Sequence, residues 1–171
     1  MQEGHDHHQP MLSTDQERKE MKALVAIDGS DESLYALNWF LDKFLLQING
    51  ADSSVNSTSV TLVHVMEPLP HYAFPGGFVV ESATKTQAEY ASKVLSAASQ
   101  ICSDKKVAAK TLILEGEPKE KICEIGREIN AELIVIGSRG MGKIKRAILG
   151  SVSDYCSHHA NCPVLIVKLP K

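Results

Sequence analysis

The chain has no pair of cysteines close enough in sequence to build a zinc ribbon or a redox motif. Its four, Cys102, Cys123, Cys156 and Cys162, never fall in a C-x-x-C spacing. They are expected to be free thiols in or near the core. Charge of one sign is missing too, and a net charge of −3 gives no general reason to expect nucleic acid as a partner. No apolar run approaches the roughly 18 residues of a membrane span. The N-terminal stretch lacks the apolar segment of a secretory signal. These absences imply a reducing compartment, the cytoplasm with the nucleus also open, in which the sequon Asn56-Ser57-Thr58 is only a polar loop.

What is present is ordinary for a globular protein, with 43% hydrophobic and 23% charged residues. Residues 1–20 are polar and aperiodic, so they are read as a disordered tail. Within it His5, His7 and His8 suggest metal binding, but no cysteine or well-placed carboxylate completes a rigid set. Residues 21–171 are read as one domain, long enough to bury about two thirds of its unfolded surface.

Strand and helix patterns alternate through that domain. Residues 23–28 read as a buried strand ending in Asp28-Gly29-Ser30, and Ser30 caps a helix carrying Leu34, Leu37, Leu41, Phe44 or Leu45, and Ile48. A polar loop over 49–59 precedes a second strand over 60–65. The prolines and glycines of 66–80 predict a long irregular loop, with His71, Tyr72, Phe74 and Phe78 available as a lid or as packing. A second helix over 81–103 is marked by Tyr90, Val94, Ala97, Ala98 and Ile101. A third strand follows over 107–114, then a helix opened by Pro118 with Ile122, Ile125 and Ile129 buried. Strands over 133–136 and 163–168 flank a last helix that starts near Ser151. This order predicts an α/β fold, a doubly wound five-stranded parallel sheet with helices on both faces.

The chemistry concentrates after the fourth strand. Gly137, Gly140 and Gly142 arrive with Arg139, Lys143, Lys145 and Arg146 before Gly150-Ser151 opens the last helix. Glycines let a backbone approach a ligand, and amides at a helix start hold an anion. A Walker A loop would need Ser or Thr where Ile144 stands, and an isoleucine cannot ligate magnesium. The Rossmann G-x-G-x-x-G spacing fails as well.

The spacing that fits is Gly137-x2-Gly140-x9-Gly150-Ser151, which resembles the ATP-binding signature of the universal stress protein family. The resemblance runs from Lys22 to Lys168, and the stretch GSRGMGKIKRAILGSVS is similar to the plant-type branch. It implies a Rossmann-like, adenine nucleotide alpha hydrolase-like fold that binds ATP, or AMP or ADP. By position, Asp28 would receive the ribose or adenine and Val65 would line the adenine pocket. Gly137 and Gly140 would wrap the phosphates, with Arg139 favoured for contact, while Gly150, Ser151, Val152 and Ser153 would present amides and hydroxyls. Ala26 stands two residues before the aspartate, where ATP-binding members often carry proline. The family also implies a homodimer through the apolar edge strand Val164, Leu165, Ile166 and Val167.

The residues alone leave three functions open. One is a nucleotide-dependent binding module in stress response or signalling. Another is a slow ATPase in which Asp28 or Ser151 helps hold Mg2+ through the nucleotide phosphates, although no general base is evident. The third is a nucleotide-independent, chaperone-like interaction protein.

Overall fold

A computed structural model describes residues 20–45, 58–69, 77–140 and 149–171, with side chains 77–81 left out of the description. Strands β1 (Met21–Ala26), β2 (Thr58–Met66), β3 (Ala109–Glu115), β4 (Leu133–Gly137) and β5 (Val164–Val167) form one sheet. Its order is β3-β2-β1-β4-β5, and every pairing is parallel. The chain runs outward from β1 to β3, then returns past β1 to lay down β4 and β5. The winding therefore reverses between β1 and β4, the place where doubly wound sheets bind ligands.

Strand alternation sends side chains to two cores. From β1, Ala23 and Val25 face helices α1 (Asp31–Trp39) and α2 (Gly77–Asp104), whereas Leu24 faces α3 (Pro118–Glu128) and α4 (Ser151–His159). Burial on both faces explains why these strands read as continuous apolar runs. The first helix continues as a widened π-helical stretch, Phe40–Leu45, in which Phe40, Leu41 and Leu45 are buried and the Phe40 and Phe44 rings stack 5.4 Å apart.

Several expectations change. The helix expected from residue 81 begins at Gly77, inside the stretch expected to be a loop; after Pro75 no proline bars the helix from propagating backward to that glycine. Its buried stripe is Ala91, Val94, Leu95, Ala98 and Cys102, while Tyr90 is 41% exposed and Ala97 faces water. The third strand starts two residues later than expected. Lys106 adopts a left-handed conformation (φ 58°), and Val107 donates to the Cys102 carbonyl at 2.9 Å, a Schellman closure that delays the strand. Asn130 (φ 53°) ends α3 the same way, with Ala131 donating to Gly126 at 2.8 Å. Thr58, expected in a polar loop, instead opens β2; residues 1–19, Ile48, Asn56 and Ser57 of the sequon, the aromatics 71–74 and the cations Lys143, Lys145 and Arg146 lie outside the described residues. Among the described residues, no helix is long and apolar enough to cross a membrane.

Phe40 is fully buried where α1 meets the sheet. Replacing it with alanine should lower the unfolding free energy by about 3–5 kcal/mol. A fall in the urea midpoint with an unchanged slope would show it, and an unmoved midpoint would mean the widened stretch does not anchor this core.

Candidate functional site

The carboxyl ends of β1 and β4 bring the aspartate to the glycine loop. Gly29 takes a positive φ of 88°, turning the chain sharply into α1. Asp28 Oδ1 then accepts from the backbone amide of Ser30 at 2.9 Å and from its hydroxyl at 2.5 Å. Ser30 in turn caps α1, its oxygen accepting from the Ser33 amide at 3.2 Å. One carboxylate oxygen is thus held by the helix start, and the other faces the loop: a Cβ added to Gly140 would lie 2.5 Å from Asp28 Oδ2. Asp28 caps and faces the crevice at once.

Two further side chains shape this turn. His64, buried near the end of β2, places Nδ1 2.8 Å from the Ile27 carbonyl. Since a carbonyl only accepts, Nδ1 carries the proton. Tyr90 packs edge-on against His64, centroids 5.9 Å apart, and donates its hydroxyl to the Asp28 carbonyl at 3.2 Å. The sequence reading placed Tyr90 in a core stripe and gave His64 no role. A histidine inside the apolar run TLVHV was the available signal for the latter.

On the other side of the crevice, Ser138 joins three elements. Its amide donates to the Val167 carbonyl of β5 at 2.8 Å, and its own carbonyl accepts from the Gly150 amide at 2.7 Å and the Ser153 hydroxyl at 3.0 Å. The Ser153 hydroxyl also lies 3.0 Å from the Gly150 carbonyl, so this buried group braces the loop. Gly150 supplies no capping side chain to α4, so the first-turn amides of that helix require partners from outside it. That is the chemistry of an anion cradle, reinforced by the helix dipole. Ser151 is exposed at the helix start, Arg139 is half-buried beside it in the loop, and Gly140 is exposed. Ala26, Val65 and Val152 all pack partly buried against the α3–α4 core, forming an apolar flank at the strand ends.

The two loop glycines do different work. A Cβ on Gly137 would sit 2.9 Å from the Glu32 backbone carbon, so glycine here lets the first turn of α1 press on the sheet. Gly140 keeps space open in front of Asp28. Among the described residues, no cluster of three or more His, Cys, Asp and Glu could hold a metal ion.

The universal stress protein family model matches residues 21–168. A universal stress protein of Bacillus subtilis, YxiE, is 35% identical over 156 residues, covering 86% of this chain and 98% of its own. Among solved structures, UspA of Lactobacillus plantarum superposes with a TM-score of 0.71 at 23% identity, covering 87% of this chain and 98% of that one. A universal stress protein family member of Arabidopsis thaliana with AMP bound superposes with a TM-score of 0.64 at 23% identity, covering 88% and 92%. Universal stress proteins in complex with cAMP and with dAMP share the fold at TM-scores of 0.60 and 0.57.

Gly137 and Gly150 should differ in their tolerance of a methyl group. Gly137→Ala must displace backbone and should cost about 1–3 kcal/mol. Gly150→Ala meets its nearest atom at 3.3 Å with an ordinary φ of −73° and should cost less. Thermal denaturation of both variants ranks them, and the reverse order would refute the close approach of α1.

Proposed function

The chain belongs to the universal stress protein family, and from that premise we propose that it is an adenine-nucleotide-binding module of the ATP-binding, plant-type branch. The observation that carries this reading is the Asp28 carboxylate facing Gly140 across the point where the sheet reverses its winding. A carboxylate accepts hydrogen bonds from the hydroxyls of a ribose, and the amides of a helix start without a capping side chain donate to phosphate oxygens. These groups lie on opposite sides of one crevice. The AMP, cAMP and dAMP complexes of the fold's other members share an adenine, and the apolar flank of Ala26, Val65 and Val152 suits that base. ATP, ADP or AMP would lie with its base on this flank and its phosphates toward Gly140 and residues 150–153. Magnesium would accompany the longer phosphate chains.

Occupancy, rather than turnover, is the proposed output. A nucleotide bridging Asp28 and α4 would change the intervening loop and the surface that stress-response partners read. Calorimetry with ATP and magnesium should detect one site per chain, and protein denatured fresh from purification should release adenine nucleotide. Gly140→Val puts a side chain against Asp28 at an exposed position, so it should weaken binding about a hundredfold, about 2.7 kcal/mol, with circular dichroism unchanged. A variant that binds as well as the parent would remove the crevice from the reading. ADP accumulating on incubation with ATP would instead favour a slow ATPase.

We also propose that β5 pairs with its counterpart in a second copy. Val164–Val167 forms an edge of the sheet, and Val164, Leu165 and Ile166 are only half-buried. An apolar edge with unpaired backbone groups is a template for another strand. Light scattering at tens of micromolar should give twice the monomer mass, and Ile166→Lys should return it to the monomer. A monomeric parent chain would dismiss the pairing.

A further inference from the structure

Three of the four cysteines gather on the face of the sheet covered by α3 and α4, on a site separate from the nucleotide crevice. Cys123 of α3 and Cys156 of α4 place their sulfurs 3.6 Å apart, and both are buried. The Cys123 thiol donates to the Cys156 sulfur, and the Cys156 thiol donates onward to the Lys119 carbonyl at 3.9 Å. Cys162 sits half-buried nearby. Cys102 is alone in the opposite core, its thiol pushed up to about 11 by burial.

Access distinguishes the two paired thiols. Two surface clefts, of about 470 and 350 Å3, flank α3, and Cys123 and Arg127 line both. Cys156 lines neither cleft and is fully buried, and burial followed by the neighbouring Cys123 pushes its thiol up. Cys123, 5% exposed, therefore borders the clefts from inside the core, while Cys156, at 0%, stands behind it. Arg127, Glu120 and Glu124 line the larger cleft, Glu124 pairs with Lys121 at 2.7 Å, and Lys119 lies 5.5 Å from the ring centroid of the cleft-lining Tyr155.

We propose that Cys123 and Cys156 are an oxidation site for small hydroperoxides, closing to a disulfide that joins α3 to α4. The Cys123 sulfur, deprotonated, attacks the outer peroxide oxygen; the O–O bond breaks, the alcohol or water leaves with the proton, and Cys123 becomes a sulfenic acid. The Cys156 sulfur then attacks the Cys123 sulfur. Its proton leaves with the displaced hydroxyl as water. Two thiols and one hydroperoxide give one disulfide, one alcohol and one water, with two electrons passed from sulfur to oxygen. The sulfurs must close from 3.6 Å to about 2.05 Å, a movement that two surface helices on one face of a sheet share between them. A thiol at a cleft wall beside a resolving thiol is an arrangement that traps a sulfenic acid before it oxidises further.

The test is to treat the full chain with a small excess of hydrogen peroxide, quench by alkylation in denaturant, and map peptides by mass spectrometry. The expected result is a loss of two mass units per chain and a cross-link between the peptides of Cys123 and Cys156, with Cys102 alkylated throughout. Cys162→Ala should leave the cross-link in place, and Cys123→Ala should abolish it and spare Cys156 from oxidation. The mapping of the parent chain needs no variant to fold. A cross-link to Cys162 instead, a stable gain of oxygen on Cys123 without loss of two mass units, or a pair still reduced after exposure would each overturn the proposal. None of these outcomes depends on nucleotide binding.

Discussion

The Ser138 peptide holds the site together. It lies one residue beyond β4, and its two polar groups reach in different directions: the amide to the end of the edge strand at Val167, the carbonyl to the start of α4. The Ser153 hydroxyl adds a second donor to that carbonyl from one turn into the helix. Losing the bond to Val167 would leave the Ser138 amide unpaired in a buried place, which costs more than the bond itself contributes, whereas the carbonyl is held by two donors. The glycine loop therefore leaves the sheet and returns to α4 through one buried point. Where the loop returns decides where the α4 amides stand, and with them the cradle.

A matching constraint holds the other wall. Asp28 is oriented by the helix it helps start: the amide and hydroxyl of Ser30 occupy one oxygen, and Tyr90 and His64, on the same face of the sheet as that helix, bind the carbonyls of Asp28 and Ile27. The carboxylate is thus held in one orientation by the protein itself, and preorganisation of this kind reduces what any binding event would have to supply for ordering side chains. Gly137 contributes from below, since only a bare Cα lets α1 approach closely enough to bring Ser30 to this position.

The architecture was legible because its signals are local. Buried strands read as apolar runs, and the spacing of Gly137, Gly140 and Gly150 marks a backbone requirement that no other residue meets as readily. The alternation of elements was enough to imply a doubly wound sheet. The illegible parts depend on distant partners. Ser138 looks like any loop serine until Val167 and Gly150 are seen beside it. Tyr90 keeps helical spacing with Val94, yet it lies at the rim of the sheet, where α2 overhangs the strand ends and the same spacing points toward Asp28. The onset of β3 was misplaced because Lys106, a residue with no turn preference of its own, takes the left-handed conformation that closes α2. Helix ends of that type usually carry glycine.

The bond from Ser138 to Val167 also gives the proposed edge pairing a physical route to the crevice. Val167 is the last residue of β5, the only buried one in that strand, and its carbonyl meets the peptide that positions α4. An edge strand with one covered side frays more readily than a central one, because few contacts oppose its opening. A second strand laid against β5 would suppress that fraying and fix the Val167 carbonyl. Order gained at the edge is order the cradle need not acquire on binding, so pairing and nucleotide occupancy would favour one another through a shared entropy term without any change of shape. Reciprocity follows from linkage: whatever factor the pairing contributes to nucleotide affinity, the nucleotide returns to the pairing.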